Sequence, residues 1–262
     1  MASGLERGMN DTDRQDESRI EGKNAVIEAL RAGRALDKVY LARGEQDKAL
    51  RFIAQKAKAE GAVISEVDRH KLDAMSVTHA HQGVIAVAAL REYDTMESIL
   101  ELAQSRGEKP LVIVCDEITD PHNLGAIIRT AEAAGAHGIV IPKHRSAGIT
   151  AVVEKTSAGA VEHMAVARVP NLCAALEKLK KAGLWVFGTA AEGDRSLWEA
   201  DLAEGAVIVI GSEGTGMSRM TRESCDFLVS IPMHGKVSSL NASAAAAVVL
   251  YEAVRQRSGK SR

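Results

Sequence analysis

Aromatic side chains are scarce in this chain: two Trp, three Tyr and three Phe among 262 residues. A single-strand binding surface assembled from stacked aromatic platforms has little to work with, so any contact with nucleic acid falls to charge and main chain. Cysteine is scarcer. Cys115, Cys173 and Cys225 are odd in number and widely spaced, which fits neither a disulfide framework nor a zinc knuckle and points to a reducing compartment. No apolar run approaches the roughly 18 residues of a membrane span; the richest, AAAAVVLY at 244–251, is far shorter. The opening MASGLERGMNDTDRQDESR lacks the apolar centre of a secretory signal, so a cytoplasmic protein without a membrane partner is expected. Net charge is nearly absent as well, with Lys+Arg 33 against Asp+Glu 35 and a formal charge of −2. That excludes a uniformly basic binder.

What is present is ordinary globular material, 46% hydrophobic and 26% charged, enough to bury a core. Charge is unevenly placed. Residues 1–19 carry net −2, residues 20–91 net +3, residues 92–107 net −3, and residues 108–262 net zero. The first segment has almost no apolar residues and reads as a disordered tail. From residue 20 to 91 short α/β units follow. GKNAVIEALRAG is a helix with Ala25, Val26, Ala29 and Leu30 on one face and Gly33 as its stop, KVYLA a strand, KALRFIAQKAKAEG a helix, and GVIAVAAL an apolar strand. Residues 92–107 read as an acidic connector with one short helix. Residues 108–262 alternate apolar strands (LVIVC, GIVIP, MAVARV, WVFGT, AVIVIG, FLVSIP) with helices, the pattern of a parallel sheet covered on both faces. Ligands of such sheets bind beyond the carboxyl ends of the strands, which directs attention to the loops after Cys115, Thr189, Gly211 and Pro232.

Three loops carry chemistry. In DEITDPHNLGAIIRTAEAAG, residues 116–135, Pro121 suits a helix start, and Leu124, Ile127, Ile128 and Ala131 form a buried stripe. Arg129 falls two turns into that helix among Ala and Ile, so it must find an anion or bear a desolvation cost. A salt bridge to Asp116, Glu117 or Glu132 answers that as well as a ligand does, and Asn123 would serve as a plain N-cap. In AVIVIGSEGTGMSRM, residues 206–220, a strand runs into Gly211, Ser212, Glu213, Gly214, Thr215 and Gly216, where main-chain N–H groups can converge at a helix start. No Lys-Ser/Thr pair follows and the glycines are not spaced as the dinucleotide fingerprint. Glu213 is an acid where a phosphate cradle would avoid one, which suits a ligand bearing positive charge or ribose hydroxyls. In IPMHGKVSSLNASAAAAVVLYEAV, residues 231–254, Ser238 or Ser239 is placed to cap the last helix, with Asn241 beside it. His122, His144, His163 and His234 show no metal-ligand spacing, so no metal is expected, and no G-x-S-x-G elbow supports a serine hydrolase.

Together the three loops resemble the three motifs of the SpoU (TrmH-type) family of RNA ribose 2′-O-methyltransferases: DPHNLGAIIRTAEAAG the first, VIVIGSEGTGM the second and IPMHGKVSSLNASAAAAVVLYEA the third, in the right order. GKNAVIEAL followed by THAHQGVIAV resembles the L30e-like RNA-binding domain that precedes the catalytic domain in the 23S rRNA guanosine methyltransferase subgroup. The resemblance implies an enzyme with a C-terminal SPOUT domain, a parallel α/β sheet whose last segment threads a loop in a deep trefoil knot, an exception to unknotted chains. It implies S-adenosyl-L-methionine bound in the knot, a homodimer, and domains at 20–91 and 108–262. By motif position the cofactor contacts fall on Gly211, Ile231 and Leu240, with Thr189, Glu213 and Met233 nearby, while Arg129, Asn123, Glu213, Ser239 and Asn241 match catalytic or near-catalytic positions. Gly22, Lys23, Asn24, His79 and Gln82 are candidates for RNA contact, although Gly22 and Gln82 would serve equally as turn and core residues. The implied reaction is methylation of a ribose 2′-hydroxyl in 23S rRNA, at a guanosine of the P-site loop. A tRNA or antibiotic-resistance rRNA methyltransferase is the alternative within the class, and an RNA-binding assembly factor without turnover the alternative outside it.

Overall fold

The computed structural model describes residues 19–44, 47–89 and 91–259. The expected tail lies outside these residues except for Arg19, which opens a strand. The division between two compact units falls at Glu92/Tyr93, the short stretch Gly148–Ala151 aside.

The first unit is a four-stranded sheet of β1 (Arg19–Glu21), β2 (Leu36–Ala42), β3 (Val63–Val67) and β4 (Val84–Ala88), in the order β1-β4-β2-β3. Strands β2 and β3 are parallel, and β4 runs antiparallel to both β1 and β2. Alternation along β4 sends Val84 and Ala86 to one face and Ile85 to the other. The first face packs on helices α1 (Lys23–Arg31) and α2 (Lys48–Ala59) through Val26, Leu30, Leu50 and Ile53; the second packs on α3 (Arg69–Met75) through Leu72. The α1 stripe is narrower than its sequence implies. Val26 and Leu30 are buried but Ala25 is exposed, because a four-residue spacing already spans the contact with the sheet. Gly33 ends the turn in the left-handed region at φ 72°, as expected of a helix stop.

The second unit begins earlier than the charge pattern indicates. Helix α4 (Met96–Arg106), assigned from sequence to a connector at 92–107, is closed by a Thr95/Ser98 capping box and sends Met96 and Ile99 into the core. A Cβ on Gly138 would lie 2.5 Å from Ile99 carbon atoms, so α4 rests directly on the sheet. Acidic residues on its outer face gave the segment a linker's composition, while the buried face makes it part of the domain.

The sheet holds seven parallel strands: β5 (Leu111–Cys115), β6 (Gly138–Pro142), β7 (Val166–Val169), β8 (Trp185–Thr189), β9 (Arg195–Ser196), β10 (Ala206–Ile210) and β11 (Phe227–Ser230), in the order β7-β6-β5-β10-β8-β11-β9. One face, with Val112, Val114, Val140, Val186, Val207 and Val209, packs on α4 and α7 (Leu172–Lys181). On the other side α5 (Pro121–Ala133) and α9 (Ala242–Gly259) pack on one another and against β6 and β10 respectively. Short helices α6 (Ala151–Thr156) and α8 (Arg219–Glu223) complete the set. The last crossing is the one a simple open sheet lacks. The chain leaves β11, runs through residues 231–241 without regular structure, and enters α9 on β10, two places back in the sheet. This is the segment that the resemblance threads through a loop.

The base of the sheet is held by a clasp around the buried His137. His137 accepts from the Leu111 N–H at Nδ1 (3.0 Å), which leaves the Nε2 proton facing Glu108 at 2.9 Å. Arg257 spans the carbonyls of Lys109, Pro110, Leu202 and Glu204. Burial holds the His137 imidazole below its ordinary range; the bond to Glu108 opposes this and the nearby Arg106 and Arg257 charges reinforce it. The unfolded chain therefore binds a proton near pH ~6.5 that the folded chain refuses. Stability is expected to be level above that range and to fall as the pH drops through it. Urea unfolding at several pH values checks this, and His137→Asn should flatten the slope.

Candidate active site

Three side chains far apart in sequence meet at the carboxyl end of the sheet. Asp120 caps α5, its carboxylate accepting from the His122 N–H at 2.9 Å, with Pro121 in the first turn. The capping role given to Asn123 thus falls to Asp120, and the Asn123 amide is released to donate to Glu213 Oε1 at 2.9 Å. Asn241 caps α9: its Oδ1 accepts from the Ser243 and Ala244 N–H groups at 2.9 and 3.2 Å. Ser238 and Ser239 do not take that position, because the helix starts at Ala242 and the cap must immediately precede it. With Oδ1 so engaged, Asn241 Nδ2 points the other way and donates to both Glu213 Oε1 and Asn123 Oδ1, the latter at 3.0 Å. One residue from each of the three loops therefore shares a single hydrogen-bonded cluster. The acid that looked out of place among glycines is held by two amides.

The loop carrying Glu213 is closed on itself. Ser212 and Gly216 exchange main-chain hydrogen bonds at 3.0 Å each, and the Ser212 and Thr215 hydroxyls meet at 2.6 Å. A Cβ on Gly211 would stand 2.3 Å from Gly216 C and Met217 N, so only glycine lets the returning limb lie this close. Below the loop, the buried Asp116 carboxylate accepts from the Ser218 N–H at 2.7 Å. Helix α8 is only five residues long and is capped by its own Ser218. Of the N–H groups in the loop, those of Ser212 and Gly216 are spent on closing it.

A cavity of about 570 Å³ lies against this loop, within the usual size of small-molecule sites. Thr189, Gly211, Glu213, Ile231, Met233 and Leu240 all line it, as does Ser239. Every residue assigned to cofactor contact from the sequence is therefore on one wall system. The Thr189 hydroxyl is turned inward, donating to Val209 O at 2.9 Å. Charged side chains on the lining are Glu192, Glu213 and Arg222, with Arg222 and Glu192 3.4 Å apart. These two escaped the sequence reading; their places just after β8 and on α8 were the available signal. The donor set fits S-adenosyl-L-methionine: a glycine cradle that admits a flat ligand, acids for hydroxyl or cationic groups, and no collection of cations for a polyphosphate.

Arg129 departs from expectation. It is exposed on α5 and, among the described residues, forms no ion pair with Asp116, Glu117 or Glu132. Position 129 lies outside the buried stripe of Leu124, Ile127, Ile128 and Ala131, so the desolvation premise fails. Asp116 serves Ser218, and Glu117 pairs with Arg145 at 2.9 Å.

In the first unit the candidate RNA contacts gather at one end of the sheet. Pairing brings Glu21, Leu41 and the start of β4 to the same end. The Lys23 N–H donates to Gln82 Oε1 at 3.2 Å, and Lys23 Nζ lies 2.6 Å from Asp47. His79 and Gln82 have left-handed backbones at φ 55° and 51°. Glu21 staples this loop, accepting from Ser76 Oγ and the Val77 N–H at 2.6 and 2.7 Å and from Thr78. Partial burial opposes ionisation, but the bonds from Ser76, Thr78 and the main chain outweigh it and hold the Glu21 carboxyl at about 2. Asn24 is exposed beside them. Arg43 after β2, Lys48 at the start of α2 and Arg69 at the start of α3 stand at the same end, and no local pattern in the sequence had singled them out.

Among the described residues no His, Cys, Asp or Glu group of three or more is placed to hold a metal, and no helix is long and apolar enough to cross a membrane. The SpoU rRNA methylase family profile matches residues 110–251, and the profile for RNA 2′-O ribose methyltransferase substrate binding matches residues 19–94. The YacO protein of Bacillus subtilis, which bears a TrmH family tRNA/rRNA methyltransferase name, is 47% identical over 243 residues, covering 93% of this chain and 97% of that protein. The 23S rRNA (guanosine-2′-O-)-methyltransferase RlmB of Pseudomonas syringae pv. tomato is 42% identical over 243 residues, covering 92% and 97%. Among solved structures, the SpoU methyltransferase AviRb of Streptomyces viridochromogenes, in complex with AdoMet, aligns with a TM-score of 0.58 at 28% identity over 95% of each chain. With both profiles lying in order along it and one residue of each motif joined in a single hydrogen-bonded cluster, the chain belongs to the SpoU rRNA methylase family.

Proposed function

We propose that this protein methylates a ribose 2′-hydroxyl of 23S rRNA, at a guanosine of the P-site loop near the peptidyl-transferase centre, using S-adenosyl-L-methionine. The observation that carries the reading is the cluster of Asn123, Glu213 and Asn241, whose Glu213 lines the cavity. The choice of 23S rRNA is supported by relatives that bear the RlmB name; names that read tRNA/rRNA methyltransferase favour tRNA as the second reading. The protein acts as a cytoplasmic homodimer in this account, with the loop end of the first unit, Lys23, Asn24, His79 and Gln82, on the RNA.

When bound, the cofactor supplies an electrophilic sulfonium methyl. The chain's part is to place and activate the hydroxyl. Glu213 Oε1 is anchored by the amides of Asn123 and Asn241, with the Ala242 N–H at 3.4 Å. Its second oxygen takes no hydrogen bond among the described residues and is left for a ligand hydroxyl. Ser239 sits on the same wall as a further donor or acceptor. Arg129, exposed on α5, acts in this reading as a cation that holds RNA phosphate and stabilises negative charge developing on the 2′ oxygen. Fixed alignment of the two reactants contributes much of the remaining rate.

Transfer of labelled methyl from S-adenosyl-L-methionine to 23S rRNA tests the reading. Arg129→Ala should lower kcat/KM by about 10²–10³, with cofactor binding by calorimetry unchanged. A fully active Arg129→Ala protein removes that residue from the mechanism. Cofactor binding without methylation of any RNA favours an assembly factor instead.

A further inference from the structure

Resting on the RNA-methylation reading, we propose that the loop Lys143-His144-Arg145, at the carboxyl end of β6, is a second RNA-contact site within the catalytic unit, holding backbone phosphate beside the target ribose. The sheet order decides its position. The cavity lies over β8, β10 and β11, the cluster of Asn123, Glu213 and Asn241 over β5 and β10, and β6 is the next strand on the far side of β5. Two strand spacings, about 10 Å, separate β6 from β10. A ribose presented to the cluster with the cofactor on one side has this loop on the other.

The loop is built to stay there. The Ala147 N–H donates to Ile118 O at 2.8 Å and the Lys143 N–H to Val169 O at 2.8 Å. The first of these ties it to the segment 116–120 that leads into α5 and Asn123. Arg168 Nη2 donates to Lys143 O at 3.3 Å, which brings another cation to its base. Arg145 is 80% exposed, and its 2.9 Å pair with Glu117 is of the exposed kind that holds weakly, so a phosphate can displace it. His144 is exposed and Lys143 half-buried. Glu117 and Asp120 are the nearby acids, the first paired with Arg145 and the second engaged as a helix cap. Sheet-end placement, three adjacent basic residues and a hydrogen-bonded frame together suit a polyanion approaching the cluster from this side.

Filter binding of the full-length protein to an unmodified 23S rRNA transcript, across about 50–200 mM salt, tests the proposal. The Lys143→Ala/Arg145→Ala double variant should bind about tenfold more weakly at the low-salt end, with a log–log salt slope shallower by about 1–2, as expected for the loss of two phosphate contacts. Its KM for RNA should rise while its affinity for S-adenosyl-L-methionine is unchanged. Glu117→Gln separates contact from scaffolding: it should bind RNA as tightly as the wild type or more so, since it frees Arg145. Unchanged affinity and slope in the double variant overturns the proposal, and so does a Glu117→Gln protein that weakens as much as the double variant. If the wild type methylates tRNA and not rRNA, the 23S assignment fails while the same comparison on tRNA still decides the loop. A wild type that binds no RNA overturns both.

Discussion

Asn241→Asp is expected to leave a stably folded protein whose methyl transfer is lower by about 10²-fold, the scale seen when one preorganised donor is lost. The substitution is nearly isosteric and keeps the oxygen that accepts from Ser243 and Ala244. Asp is as good an N-cap as Asn and its charge favours a helix start, so α9 is preserved. What changes is the other half of the side chain. The Nδ2 donor to Glu213 and Asn123 becomes an oxygen facing a carboxylate. Two carboxylates in contact are forced to share a proton, so activity should recover partly at lower pH as an O–H···O bond replaces the lost N–H···O bond. Asn241→Ala provides the contrast: it removes cap and donor together and should lower stability by about 0.5–2 kcal/mol as well as activity. Thermal unfolding beside methyl-transfer rates distinguishes them. An Asn241→Asp protein with wild-type activity would mean that the cluster is scaffolding only.

Gly211→Ala is expected to abolish measurable cofactor binding, a loss beyond about 100-fold, or roughly 2.8 kcal/mol. The added methyl would lie 2.3 Å from two main-chain atoms of the returning limb and 2.7 Å from Gly216 O. Main chain cannot step aside as a flexible side chain does. The loop must open, breaking the exchange between Ser212 and Gly216, and overpacking of this kind costs about 1–3 kcal/mol of stability. Because Gly211 and Glu213 both line the cavity, the displaced loop no longer fits the ligand. Gly235→Ala is the control, since its added Cβ meets nothing and its backbone is not left-handed. Calorimetric titration with S-adenosyl-L-methionine reads both. Binding by Gly211→Ala within about threefold of wild type, roughly 0.7 kcal/mol, would show that this loop is not the cradle.

Much of the site was legible because its residues lie in loops with unusual chemistry. Glu213 among glycines and Asn241 before a run of alanines stand out against what surrounds them, and fully apolar strands announced a covered parallel sheet. The failures share a physical cause. A local pattern shows which face of an element is apolar, but not which neighbour competes for its polar groups. Asn123 was eligible as a cap until Asp120, three residues earlier, took the position. Arg129 sits in a stretch otherwise rich in Ala and Ile, which suggests burial, whereas the helix turns it out to solvent. Likewise α4 was hidden by its own acidic outer face, and only packing on Gly138 reveals it as core. Strand order is nonlocal by nature: nothing between residues 206 and 210 indicates that β10 inserts between β5 and β8, yet that insertion is what brings Glu213 to Asn123.

The most direct test of the account is mass-spectrometric mapping of 23S rRNA after reaction with the purified protein and isotopically labelled S-adenosyl-L-methionine. A single labelled methyl is expected on the ribose 2′ oxygen of one guanosine in the P-site loop, absent from the Asn241→Asp and Gly211→Ala reactions at matched time. A methyl found on a base, or no label in rRNA from a protein that binds the cofactor, would contradict it.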